Sequence, residues 1–279
     1  MGRVAFALSG GGNLGAMQAG TMRALLEGGV EPDLVVGSSI GALNAAFYAT
    51  HPGVDGCGAL ERAWSGLRRR DVFRFDVARV LSGFLGFRDN LVATRRLRDL
   101  IKLWLGIERI EEAPIPFAAL ATDALTGEGV LMAEGDVATA LLASSAIPGI
   151  FAPVRYEDRW LVDGSLASGC PAIEALELGA DEVYVLTTAT APRRRPPRGA
   201  VAMAMNSVSL VTAKLQRDQL ELARQRARAR GGDVWVVPSP EPEAPSPFDF
   251  GQGASLAAVA YRSARVWLDA RRDVIAPGA

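Results

Sequence analysis

The chain has 279 residues, enough to bury one or two substantial cores, and 49% of them are hydrophobic while only 7% are aromatic. That balance, rich in Gly and Ala, excludes a disordered or fibrous chain and suits helices packed closely on a sheet. With 30 Lys and Arg against 31 Asp and Glu, the net charge of -1 gives no global field to draw the molecule to nucleic acid or an anionic membrane.

In chain order, Val4 to Leu8 is an uninterrupted apolar run, the pattern of a strand covered on both faces. Glycines follow, then a helical pattern from about Gly15 to Glu27 closed by Gly28 and Gly29. A second buried strand, Leu34 to Val36, enters another glycine-flanked turn and a helix from Ile40 to about Thr50. Two strand-turn-helix units in succession predict a parallel sheet with crossover helices. Further strands are expected at Phe117 to Thr122, Gly129 to Met132, Trp160 to Val162, Val183 to Thr188 and Val234 to Val237. Helices are expected at Val137 to Ser145, Ala172 to Leu178, Val201 to Arg230 and Ala254 to Arg271. The stretch from about 72 to 106 has little strand character and reads as a cap inserted into a single domain spanning residues 1–279.

Cys57 and Cys170 lack the spacing of a zinc site or redox pair and read as ordinary thiols. The start lacks the basic segment and cleavage site of a secretory leader. The longest uncharged stretch, Val137 to Val154, is broken by Ser144, Ser145, Pro148, Gly149 and Pro153, so a spanning helix is not expected there. A cytoplasmic protein is the expectation. The arginines at 224, 226, 228 and 230, and those at 193 to 195, read as solvated faces; without aromatic interleaving, nucleic-acid binding is not expected.

Gly10, Gly12 and Gly15 fit a dinucleotide fingerprint between strand and helix. A dinucleotide site also wants an acid at the far end of the second strand, whereas Glu31 and Asp33 precede that strand. The remaining readings of Gly10, Gly11 and Gly12 are a plain tight turn or a nest of backbone N–H groups for an anion or oxyanion. At the second strand's end stands Gly37-Ser38-Ser39-Ile40-Gly41, a G-x-S-x-G between strand and helix. That context makes Ser39 a candidate nucleophile on a strained turn, with a plain helix N-cap as the bland alternative.

A serine nucleophile needs a base. The chain has 1 His. His51 lies at the far end of the helix that starts after Ser39, roughly 18 Å away at the helical rise, so a Ser-His-Asp triad is not expected. The base is then a carboxylate or lysine. Spacing leaves two strand-end acids as alternatives, Asp163 and Asp123.

With these residues in hand, the chain resembles the patatin-like phospholipases. Gly10-Gly11-Gly12-Asn13-Leu14-Gly15 is similar to that family's oxyanion motif, Gly37-Ser38-Ser39-Ile40-Gly41 to its nucleophile elbow, and Asp163-Gly164-Ser165 to its Asp-Gly-Gly or Asp-Gly-Ala block. Ala143 to Pro148, and Thr122-Asp123 with Thr126-Gly127, resemble further segments. The resemblance implies a three-layer α/β/α sandwich with a mainly parallel central sheet, a Ser39–Asp163 dyad, and hydrolysis of lipid acyl esters with no metal or organic cofactor. Two departures stand out: Leu14 replaces a common Arg or Lys, which weakens the case for phosphate-bearing substrates, and Ser165 replaces a smaller residue.

In the cap, Val80, Leu81, Phe84, Leu85 and Phe87 precede an amphipathic segment with Leu97, Leu100, Ile101 and Trp104 set against Arg95, Arg96, Arg98 and Lys102. This segment either packs on the core or forms a lid or acyl groove that touches a membrane surface. The expected partner is therefore a lipid or other acyl ester. The rival activities are an acyltransferase or thioesterase on the same scaffold, and the rival of another class is a lipid-binding protein without turnover.

Overall fold

A computed structural model of the chain describes residues 2–67, 95–188, 197–241 and 251–271. Its strands are β1 (Val4–Leu8), β2 (Leu34–Ser38), β3 (Phe117–Asp123), β4 (Gly129–Met132), β5 (Val154–Tyr156), β6 (Arg159–Asp163), β7 (Glu182–Leu186) and β8 (Asp233–Val237). Its helices are α1 (Gly15–Glu27), α2 (Ile40–Thr50), α3 (Gly53–Gly66), α4 (Arg95–Leu105), α5 (Val137–Ser144), α6 (Ala172–Glu177), α7 (Ala200–Arg228) and α8 (Gly253–Asp269). The strands form one sheet with the hydrogen-bonded path β5-β6-β3-β2-β1-β7-β8, and β4 pairs with β3 beside that path. Pairings among β1, β2, β3, β7 and β8 are parallel, and those made by β4, β5 and β6 with their neighbours are antiparallel.

The sheet is covered on both faces, and β1 shows why. Phe6 and Leu8 point into a core shared with Met17, Leu25, Ala45, Leu141 and Leu256 from α1, α2, α5 and α8. Ala5 and Ala7 point the other way, against Ala172, Ala175, Ala223 and Ala227 of α6 and α7. Period-2 alternation thus sets large side chains on one face and small ones on the other. The small face admits its helices closely. On the opposite face α1 and α8 also approach closely, since a Cβ on Gly20 would collide with the carbonyl of Ala257. The architecture is a three-layer α/β/α sandwich.

Two elements differ from the sequence-based expectation. Helix α3 was not expected, because four glycines between residues 53 and 66 mask its apolar stripe of Cys57, Leu60 and Trp64. The short strand β5 escapes notice because it holds only 3 residues. Of the expected cap, residues 72–94, with Leu81, Phe84, Leu85 and Phe87, lie outside the described residues.

Candidate active site

Strand register builds the site. Strand β4 fills one edge of β3 from Ala119 to Thr122. The other edge is therefore shared in succession: Ser38 of β2 lies opposite Leu120, and Asp163 of β6 lies opposite Ala121. The ends of two strands running toward each other thus meet on β3. On the other side of β2, Leu8 of β1 is opposite Gly37, which brings the following glycine loop beside the same point.

Ser39 turns the chain from β2 into α2 at φ 54 and ψ -126, one of only two non-glycine residues with positive φ among those described. The flanking glycines make that turn feasible. A Cβ on Gly37 would collide with the backbone of Gly41, and one on Gly41 with the carbonyls of Leu8 and Ser9. The backbone N–H of Ser39 donates to Ser144 Oγ at 2.9 Å, and that hydroxyl donates to the carbonyl of Leu120 at 2.6 Å. The elbow is therefore tied to α5 and to β3.

The hydroxyl of Ser39 donates to Asp163 Oδ2 at 2.6 Å. The other oxygen of Asp163 accepts the N–H of Ser165 at 2.9 Å. Burial away from water pushes the Asp163 carboxyl above the usual carboxylate range, against the opposing pull of its bonds from Ser39 and Ser165. Asp123, the other strand-end acid, does not reach Ser39. Its Oδ1 accepts the N–H groups of Leu125 and Thr126 at 2.9 and 3.3 Å, closing the turn after β3. His51 caps the far end of α2, with Nδ1 2.9 Å from Thr50 Oγ1 and its ring stacked on Phe47.

The glycine loop lies alongside. A Cβ on Gly10 would collide with Ser165 Oγ and press on Ser39 Cβ, and one on Gly11 would collide with Thr188. The N–H of Gly10 donates to the carbonyl of Gly169 at 3.3 Å, so this expected oxyanion donor is already engaged. Gly11 (φ 155) leads into one turn of 3-10 helix, Gly12–Leu14, with no side-chain cap. The first N–H groups of such a turn have no partner within it. Among the described residues none is supplied to Gly11 or Gly12.

From Ser39 an apolar cleft runs between α2, α3, α4 and the segment after α5. Leu43, Phe47, Leu60, Trp64, Ile101, Trp104, Ile147 and Phe151 line it. On helix α4, Ile101 and Leu105 are buried in the core and, with half-buried Trp104, line one side of the cleft. Among the described residues no charged side chain lines the cleft. A buried relay braces its floor: Trp64 Nε1 donates to Asn44 Oδ1 at 3.1 Å, Asn44 Nδ2 to Gln18 Oε1 at 2.8 Å, and Gln18 Nε2 to the carbonyl of Ser9 at 2.8 Å.

Ser144, Trp64 and Phe47 were not singled out from sequence. Trp64 carried a detectable signal in the 57, 60, 64 spacing; Ser144 stood only within Ala143 to Pro148, the stretch that resembles a family segment, and its role depends on α5 lying under the elbow. Among the described residues no group of His, Cys, Asp and Glu could hold a metal ion. Burial pushes the Cys57 thiol up to about 12 and Cys170 upward as well, so neither is a nucleophile at neutral pH.

The patatin-like phospholipase family model matches residues 6–176, which contain the glycine loop, the elbow and Asp163. An uncharacterized NTE family protein of Mycobacterium tuberculosis is 33% identical over 183 residues, covering 64% of this chain and 47% of the relative. Patatin-like phospholipase domain-containing protein 7 of Mus musculus is 26% identical, covering 66% of this chain and 13% of that protein. The chain thus spans less than half the length of these curated relatives. The crystal structure of VipD from Legionella pneumophila superposes with a TM-score of 0.51 at 17% identity, covering 96% of this chain and 67% of that one; at such identity the likeness is one of fold.

Proposed function

The chain belongs to the patatin-like phospholipase family, and on that premise we propose that it hydrolyses acyl esters of lipids through Ser39 and Asp163. The observation that carries this reading is the 2.6 Å hydrogen bond from the Ser39 hydroxyl to a buried carboxylate at the mouth of an apolar cleft. The acyl chain lies in the cleft with its carbonyl carbon against Ser39 Oγ. As Oγ attacks, its proton passes to Asp163, whose burial makes it a stronger base than an exposed carboxylate. The carbonyl oxygen becomes an oxyanion held by the N–H groups of Gly11 and Gly12; such donors are typically worth about 2.7–4 kcal/mol each. Collapse breaks the ester C–O bond, and Asp163 returns its proton to the leaving alcohol. Water then attacks the acyl-enzyme with Asp163 as base, releasing the acid and restoring Ser39. The lining among the described residues is uncharged and fits an acyl chain, in keeping with buried Leu14 at a position often basic in the family.

The test is covalent labelling with a fluorescent alkylphosphonate and mapping of the adduct by mass spectrometry. Labelling of Ser39 in the wild type, its loss in Ser39→Ala and its marked slowing in Asp163→Asn are expected. A folded wild-type protein that never labels, or full esterase activity in Ser39→Ala, would sink the mechanism.

A further inference from the structure

The longest described helix, α7, is built in two unlike halves. Its C-terminal half packs on the sheet, with Ala223 and Ala227 fully buried and Arg226 paired to Glu177 at 3.3 Å. Along its N-terminal half large apolar side chains are turned to solvent: Met203, Val208, Leu210 and Val211 are 43%, 51%, 64% and 67% exposed. At about 100° per residue these four, with exposed Ala204 and Ser207 between them, fall in one stripe roughly 160° wide. Continued toward the C-terminus, the same face turns to Lys214, Asp218 and Glu221. No charge occurs from Ala200 to Ala213, and exposed Arg198 and Arg217 border the interval.

Topology places this N-terminal half beside the site. Helix α7 crosses from β7 to β8, which are parallel, so it begins at the sheet edge where β1 and β2 also end. It leaves the body next to the site, where Gln216 lies against Gly169 and Gln219 Nε2 donates to the carbonyl of Ala167 at 2.8 Å. Gly169 in turn holds Gly10.

We propose that this outward face of α7 is a docking surface for a lipid bilayer, which sets the Ser39 site against the surface that carries its substrate. The surface needs an occupant, because an apolar stripe of this size turned to water is costly. Three features select a bilayer: the stripe is uncharged, it ends at the catalytic edge of the sheet, and the first charges met beyond either end, Arg198, Lys214 and Arg217, are cations that complement anionic headgroups, ahead of Asp218, which pairs with Lys214. The site's proximity gives this choice its purpose, so to that extent it rests on the lipid-hydrolase reading.

The experiment uses the full chain and vesicles of phosphatidylcholine with roughly a third phosphatidylglycerol. Wild type is compared with a variant carrying Met203→Gln, Val208→Gln, Leu210→Gln and Val211→Gln, and with a control carrying Ala202→Gln and Ser209→Gln on the opposite side of the same turns. Flotation, hydrolysis of a vesicle-borne ester, hydrolysis of a short soluble ester and sedimentation are measured. The quadruple variant should lose about tenfold in vesicle binding and vesicle hydrolysis, while soluble-ester turnover stays within about twofold and the control binds like wild type. Unchanged binding by a folded quadruple variant would overturn the proposal, as would an equal loss in the control. So would a wild-type dimer that the four substitutions dissociate without affecting vesicle binding. If no protein cleaves the soluble ester yet binding still depends on the four side chains, the hydrolase reading fails and the docking surface stands.

Discussion

At the scale of single residues, the site stores unfavourable states that its neighbours hold in place. Ser39 keeps a positive φ, and Asp163 is a carboxylate kept from water. Because burial raises the folded-state pKa of Asp163 above its unfolded value, its contribution to stability is present at low pH and is lost as pH rises through the folded value. Asp163→Asn should therefore raise the melting temperature at neutral pH, by an amount that shrinks on acidification, while abolishing turnover. For the same reason kcat/KM should fall on acidification at a higher pH than an ordinary carboxylate would set, since the base must be ionised to accept the proton. Ser144→Ala removes the acceptor of the Ser39 N–H and should cost about 1–3 kcal/mol in denaturant unfolding, with slower phosphonate labelling.

At the scale of elements, α3 and α6 carry separable predictions. Helix α3 closes the cleft with Trp64, 5% exposed and anchored on Asn44. Trp64→Ala should destabilise by about 3–5 kcal/mol and shift ester preference toward longer or bulkier acyl chains in a substrate series. Trp64→Phe keeps an aromatic ring in the cleft wall and gives up the Asn44 bond, so its preference should stay near that of wild type. On α6, Glu174 is largely buried, with Oε2 lacking a hydrogen-bond partner among the described residues, and burial pushes its pKa up to about 7. The folded value lies above the unfolded one, so stability is lost as pH rises through about 7. Glu174→Gln should raise the melting temperature at pH above that value and change little near the unfolded carboxylate pKa, which a pH series of thermal melts would show.

At the scale of the whole molecule, the site is a property of the complete sheet edge. Ser39 follows β2, Asp163 ends β6, the glycine loop follows β1, and Gly169, which holds that loop, lies between β6 and β7. The four come from separate strand ends and meet only when β1, β2, β3 and β6 are paired in one sheet. Phosphonate labelling and far-UV circular dichroism should therefore be lost in one coincident transition on urea titration. Among the described residues no helix is long and apolar enough to cross a membrane. Contact with lipid through α7 would be contact with the surface, in line with a stripe about 12 Å long that covers only one side of the helix.

Local signals wrote much of this into the sequence. The apolar runs of β1, β2, β7 and β8 announced a buried parallel sheet, and the glycines around Ser39 announced a turn that side chains could not have made. The absence of a reachable histidine narrowed the base to a carboxylate or lysine. Spacing alone could not separate Asp163 from Asp123, because both end strands of β3 and β6; only the shared edge of β3 brings one of them to Ser39 and leaves the other in a turn. Tertiary packing likewise decided which glycine N–H groups stay available, since Gly169 is far from Gly10 in the chain and adjacent in the fold. The reason is general to this architecture. Strand and turn identity depend on neighbours a few residues away, whereas a site at the edge of a crossed sheet depends on register between strands that sequence distance does not encode.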